Sequence, residues 1–204
     1  MNLYNVEAAK ALLDQAGWLL DPASASSGYR KDKQGRTISL RLATNTYSPN
    51  VQVAEHLKKM WESIGVQIIL DIQSPADLEE KHIRPRNYEL LLFSENVGAD
   101  PDPFPFWHSS QLRDPGVNLS TFSNKQADKL LVDARANVAA ADRAAKYKQF
   151  QEIFVGDVPA VFIDRSVFVY NVAAEVKGIN LKTIVTPYER FSDIAKWYID
   201  TKRK

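Results

Sequence analysis

Asp100-Pro101-Asp102 places two carboxylates one residue apart, and Phe104, Phe106, Trp107, His108, Ser109 and Ser110 follow directly. Aspartates at this spacing can hold a divalent cation through oxygen ligands, or supply half of a general acid/base pair. Both chemistries need further partners. Prolines at 101 and 103 restrict the residues before them to extended backbone, so the two carboxylates tend to point apart. A structural role competes, in which each aspartate accepts from a nearby backbone N–H and fixes a turn. The aromatics favour ligand contact, because bulky rings in a loop must bury their area, and apolar walls with a few polar groups are what small-molecule pockets present. Anchoring of the loop in the core is the alternative for those rings. Serine catalysis would require a base, and His108 is the only one nearby; residues adjacent in sequence rarely have the needed geometry.

Other reaction signatures are missing. The eight glycines form neither GxGxxG nor GxxxxGK, and neither HExxH nor GxSxG occurs. His56, His82 and His108 are far apart in sequence, and His56 falls beside lysines on what reads as a helix surface. No metal ligand, catalytic residue or cofactor is assigned on this basis. With 204 residues and 45% hydrophobic content the chain can bury a real core. Lysine plus arginine number 26 against 25 acids, and a net charge of +1 gives no global attraction for nucleic acid or an anionic membrane. Cysteine is absent, which removes disulfides and thiol chemistry. No apolar run approaches the roughly 20 residues of a membrane span, and Met1 is followed by neither the basic start nor the apolar stretch of a signal peptide. Taken alone, that points to the cytoplasm.

The elements that must position the loop alternate in type. "NVEAAKALLDQAGW" puts Val6, Ala9, Leu13 and Ala16 on one helical stripe, with Asn5 as N-cap and Gly17 as stop. "TISLRLAT" alternates as a half-buried strand. Ser48 and Pro49 open a helix striped by Val53, Leu57, Met60, Trp61 and Ile64 and stopped by Gly65. "VQIILDI" is a second strand, Ser74 and Pro75 open a short helix, and the apolar "YELLLF" reads as a central strand buried on both faces. Two helices follow. One is capped by Ser123 and striped by Ala127, Leu130, Leu131, Ala134 and Val138; the other carries Tyr147, Phe150, Ile153 and Phe154, and together they predict a hairpin. The remainder, rich in β-branched and aromatic residues, reads as strands and turns.

The expected fold is therefore α/β, an open β-α-β sheet with a helical hairpin. Residues 1–156 would form one lobe, and 157–204 a different structural layer. Parallel strands put the loops after "TISLRLAT" and "YELLLF" at one carboxyl edge, where ligands of open α/β sheets bind. Arg84 and Arg86 precede their strand, fall at the opposite edge, and read as solvated surface.

The series "AAKALLDQAGW", "LRLAT", "VAEHLKKMWESIGVQIIL", "RNYELLLF", "GADPDPFPFWHSSQ", "NLSTFSN", "ADKLLVDAR" and "DRAAKYKQFQEIFVGDVPAVFI" resembles, in order and over almost the whole chain, the C-terminal portion of the family 5 extracellular solute-binding proteins. These are the peptide, dipeptide and nickel receptors of bacterial ABC importers. The resemblance implies a periplasmic-binding-protein-like lobe of the class II type, whose last segments return toward a second, missing N-terminal lobe. It implies a piece of a receptor more than twice this length, working in the periplasm or at the cell surface, which closes on a small solute and presents it to a membrane permease. Expected contacts are Asn45 and Tyr47 on one loop, and Asp100, Asp102, Phe104, Trp107, His108, Ser109 and Asn118 on the other. In members similar to the peptide receptors, a loop aspartate pairs with the ligand's ammonium. Matching "GAD" gives Asp100 that role, with Val97 in place of the family's tryptophan. Matching "DPDP" moves the ammonium position to Val97 or Gly98, where no carboxylate stands, and admits sugars or modified peptides. The alternative from another class is a carboxylate- or metal-dependent enzyme using Asp100 and Asp102.

Overall fold

In a computed structural model the chain is described for residues 4–20, 28–98, 100, 102–136, 139–165, 168–181, 184 and 186–199. Helix α1 (Val6–Gln15) starts where Asn5 Oδ1 accepts the Ala8 N–H at 2.9 Å. Strands β1 (Ser39–Asn45) and β2 (Gln67–Gln73) pair in parallel over their full length, joined by α2 (Ser48–Glu62). Ser74 caps α3 (Pro75–Leu78) by accepting the Asp77 N–H, and a π-helical turn, Glu79–Ile83, prolongs it. Strand β3 (Leu90–Leu91) then joins β1, also in parallel. The β-α-β-α-β order read from the sequence is the order observed.

Three details differ from the sequence reading. The sheet order is β2-β1-β3, so β1 is central and the "YELLLF" strand lies at an edge of the three strands. Its apolar run comes from cover on both faces: Leu90 and Leu92 pack with Leu42, Ala54 and Ile68, while Leu91 packs with Ala43, Leu78 and Ile83. Covered faces dictate composition, and neighbours on both sides do not follow from it. Next, α2 begins one residue early, with Tyr47 at the N-cap and Pro49 in the first turn. Finally, α5 (Lys125–Ala136) is capped by Asn124, not Ser123, for Asn124 Oδ1 accepts from the N–H groups of Gln126 and Ala127 at 3.0 and 3.1 Å. Val138 of the predicted stripe lies outside the described residues.

Period-two alternation builds the two faces of the sheet. Leu40, Leu42, Ile68 and Leu70 meet Leu57 and Trp61 of α2 and Ile64 of the turn after it, and Ala54, fully buried, lets that helix close on the strands. The hairpin of α5 and α6 (Ala140–Asp157) has its own seam, in which Ala127, Leu130, Leu131 and Ala134 are buried along with Phe150 and Phe154. Trp107 from the short helix α4 (Phe104–Trp107) meets Phe154 edge-on, with ring centroids 4.5 Å apart.

The chain divides into two compact units: Met1–Glu95 with Pro103–Pro159, and Asn96–Asp102 with Ala160–Lys204. In the second, the strands expected from composition are sparse. Only β4 (Val176–Lys177) and β5 (Tyr198–Ile199) pair, antiparallel, among its described residues, beside 3-10 turns at Pro187–Phe191 and Ile194–Lys196. Strand propensity is expressed only where a partner strand is present. Asp193 organises this part, accepting from Asn180 N–H and Trp197 Nε1–H, each at 2.7 Å.

Arg30 links the first helix to the sheet layer. Almost wholly buried, its guanidinium donates to Asp14 Oδ1 at 2.5 Å, to Trp18 O at 2.7 Å and, through Nε, to Ile64 O at 2.7 Å. Gly65, at φ +87°, gives it room, since a Cβ there would lie 2.8 Å from Arg30 Cγ. Arg30→Ala strands the carbonyls of Trp18 and Ile64, while Asp14, half exposed, returns to water, and is expected to lower stability by about 1–3 kcal/mol in urea unfolding followed by circular dichroism. An unchanged midpoint would remove Arg30 from the fold's supports.

Candidate functional site

The carboxyl edge of the sheet is where parallel strands deliver their chain ends. Backbone pairing continues past the strands there: Thr46 N–H donates to Gln73 O and Leu92 N–H to Ala43 O, both at 2.9 Å. Thr44, fully buried, adds its hydroxyl to Leu92 O at 3.0 Å. Asn45 Oδ1 accepts the Tyr47 N–H at 3.0 Å and Asn50 Nδ2–H at 3.1 Å, so this side chain shapes the entry to α2. The turn leaves Tyr47 64% exposed, beside the positive end of a 15-residue helix. Phe93, after β3, is exposed too.

Glu95 closes this stretch. Burial by the surrounding chain pushes its carboxyl up to about 7, although the residue as a whole is exposed. Water over the exposed residue keeps the associated energy small.

The second group of expected contacts is held by the helical hairpin. Ser109 gives both its donors to Asp128 in the first turn of α5, N–H to Oδ1 at 2.9 Å and Oγ–H to Oδ2 at 2.5 Å. His108 stacks on Phe104 with centroids 4.1 Å apart, and the Arg135 guanidinium lies over the same Phe104 ring at 3.8 Å. Ser110 N–H donates to His108 Nδ1 at 3.0 Å, which places the ring's proton on Nε2, 3.9 Å from Asp128 Oδ1. Asn118 is fully buried. Its Nδ2 donates to Phe122 O at 2.8 Å and His108 O at 3.2 Å, and its Oδ1 accepts the Phe122 N–H at 3.2 Å. Trp107 is buried against Phe154.

The structure thus sorts the expected contacts. Asn45 and Tyr47 stand at the carboxyl edge. Trp107, Ser109 and Asn118 spend their side chains inside the protein, on the loop's anchorage. Asp100 and Asp102 belong to the second unit, where Asp102 N–H donates to Asp100 O at 2.7 Å. His56 is exposed on α2, and His82 is buried with Nδ1–H donating to Asn87 O at 2.8 Å. Among the described residues no three histidine, aspartate or glutamate side chains gather to hold a metal ion. Arg86 is a correction to the sequence reading: its guanidinium is drawn in to Ile83 O and Gly116 O, tying the turn that precedes β3 to the loop before Asn118, while Arg84 is exposed and pairs with Glu79. Asp128, Arg135 and Glu95 were not singled out from the sequence. Asp128 lies 19 residues from Ser109, and no local spacing announces the pair.

Two measurements follow from this geometry. Asn118→Ala leaves Phe122 O without its partner, while His108 O keeps the Gln111 N–H and the Phe122 N–H keeps Ser120 Oγ, and is expected to cost about 1–3 kcal/mol in chemical denaturation. Folding raises the Glu95 carboxyl from its ordinary 4.5 to about 7, so the folded state holds that proton more tightly and stability falls as pH climbs through this window. A carbon-13 NMR titration should place the Glu95 midpoint near 7, and Glu95→Gln should flatten the stability profile there; a midpoint at 4.5 would refute the crowding.

The comparisons with known proteins agree in direction. The model of "Bacterial extracellular solute-binding proteins, family 5 Middle" matches residues 1–116. Oligopeptide-binding protein AppA of Bacillus subtilis is 28% identical over 166 residues, 78% of this chain and 29% of its own length. The dipeptide-binding protein of Escherichia coli is 27% identical over 177 residues, 86% of this chain and 31% of that protein. The chain therefore spans about 30% of these relatives. Among solved structures, AppA in complex with a nonapeptide superposes with TM-score 0.72 at 23% identity, covering 97% of this chain and 38% of that one. NikZ from Campylobacter jejuni in complex with Ni(L-His) gives 0.70 at 21%, covering 95% and 39%. These two likenesses establish the periplasmic-binding-protein fold, and the family's members are solute-binding proteins, which leaves the carboxylate-enzyme alternative without support. With more than half of its length matched by the family model, the chain belongs to the family 5 bacterial extracellular solute-binding proteins.

Proposed function

We propose that this chain supplies one wall of the ligand cleft in the solute receptor of a bacterial ABC importer, acting outside the cytoplasm. The observation that carries the reading is the carboxyl edge of a three-stranded parallel sheet, where the central strand ends at half-buried Asn45 and exposed Tyr47 follows. Capture is non-covalent. In the first unit Tyr47 offers a ring and hydroxyl, Asn45 a side-chain amide, and Phe104 and His108 a stacked pair; Asp100 and Asp102 are separate proposed contacts, in the second unit. Trp107, Ser109 and Asn118 hold the loop of that stacked pair in shape from behind. In this reading residues 157–204 return toward a second lobe, and Val161, Phe162, Ile163 and Val169, exposed apolar residues of the second unit, supply surface for it. Closure of the two lobes around the solute excludes water, and the ligand works by favouring the closed state, which a membrane permease then engages.

The solute is a peptide or another small polar molecule. If Asp100 pairs with a free ammonium, the bond contributes roughly 1.5–3 kcal/mol net. Native mass spectrometry of the receptor polypeptide carrying this chain, purified without denaturation, should reveal a bound small molecule. Calorimetry with that molecule should then show at least a tenfold loss of affinity for Tyr47→Ala and for Asp100→Ala. Equal affinity in both variants would overturn the assignment of this wall.

A further inference from the structure

We infer that Asp128 is a positioning residue for the solute-binding loop: through Ser109 it fixes where Phe104 and His108 stand, without itself touching solute. The inference rests on the receptor reading above. Both carboxylate oxygens of Asp128 are engaged, one by the Ser109 N–H and one by its hydroxyl, a two-point grip on the residue that follows His108. The side chain is 18% exposed, and it lies behind the loop on α5. Helix α5 touches the loop again at Arg135, whose guanidinium covers the Phe104 ring. Seven residues separate Asp128 from Arg135, almost two full turns, so both stand on one helix face.

Between these two holds the loop has little freedom. Phe104 carries the His108 ring in a stack, and the Ser110 N–H, together with its hydroxyl at 2.8 Å, pins His108 Nδ1. The carbonyl of His108 accepts from both the Gln111 N–H and Asn118 Nδ2. Releasing Ser109 frees the junction between α4 and the 3-10 turn Ser109–Gln111, and the stacked pair loses its fixed origin. Solute binding must then order the loop, which weakens affinity without removing any contact to the solute.

The test uses the receptor polypeptide carrying this chain, in native form and as Asp128→Ala, Asp128→Asn and Ser109→Ala. Amide hydrogen exchange is read at residues 109–111 and at Leu130 and Leu131. Affinity is read by calorimetry against dialanine, nonaalanine, a hexasaccharide and nickel–histidine. We expect residues 109–111 to exchange at least tenfold faster in Asp128→Ala, with Leu130 and Leu131 unchanged, and affinity for whichever probe binds to fall about tenfold. Asp128→Asn keeps an acceptor for the Ser109 N–H and should recover part of both effects. Ser109→Ala should weaken binding in the native background and add nothing to Asp128→Ala. Should Asp128→Ala not fold, Asp128→Asn against native protein carries the same comparison. Affinity within twofold of native in the folded Asp128 variants overturns the positioning role and leaves the receptor reading intact. Failure of the native receptor to bind any probe, with no small molecule carried through purification, overturns the receptor reading and this inference with it.

Discussion

Seven consecutive residues of β1 run in parallel register with seven of β2, from Ser39 opposite Gln67 to Asn45 opposite Gln73. Parallel neighbours cannot be joined by a tight turn, so the chain must cross over through a helix and return to the same end of the sheet. The rest of the unit depends on that constraint. Helix α2 fills the crossover, and its apolar face covers Leu42, Val66 and Ile68. The next crossover, through α3 and the π-helical turn, covers the other face around Ala43. Both chain reversals then leave from one edge, where Asn45 and Tyr47 stand, and a site forms there by topology before any side chain is chosen.

Polar knots hold what the sheet does not reach. Arg30 binds the α1 layer to the turn before β2, Arg86 binds the turn before β3 to Gly116, and Asn118 closes the turn between His108 and Phe122. Each sets a donor-rich side chain against at least one backbone carbonyl, Ile64 O, Gly116 O or Phe122 O, that needs a partner away from water. The Tyr88 hydroxyl donating to Leu119 O works in the same way, from the sheet side. Together they make the loop around α4 an extension of the folded core, with Trp107 driven into the hairpin seam as its apolar pin. A loop so anchored can present a few groups outward at low entropic cost, which suits a wall of a cleft better than a mobile flap.

The same organisation explains why the loop's chemical appearance misleads. A histidine, two serines and an aspartate come together at His108, Ser109, Ser110 and Asp128, the residue types of a nucleophilic site. Yet Ser109 is spent on Asp128 by two hydrogen bonds, and His108 receives the Ser110 N–H at Nδ1, where a base would need a free lone pair directed at a substrate. The arrangement is a brace. Membership of a solute-binding family accords with that chemistry.

The sequence by itself determined whatever depends on neighbours within about a turn. The Asn5 and Ser74 caps, the stripe of α2, the hairpin seam with Phe150 and Phe154, and the β-α-β-α-β order are all set by short-range spacing and by which face must be buried. Small displacements, Tyr47 for Ser48 and Asn124 for Ser123, shift a helix start by one residue, within the reach of local spacing; at α5 the side chain of Asn124 makes the capping bonds, and at α2 the Tyr47 side chain makes none. Only the tertiary structure decided the rest. An apolar strand looks the same at the edge of a sheet as at its centre when helices cover both faces, so β3's place could not be read from "YELLLF". Likewise nothing near Asp128, Arg86 or Arg30 in sequence names Ser109, Gly116 or Ile64 as partner, because those bonds form between segments 19, 30 and 34 residues apart that only the closed fold brings within reach.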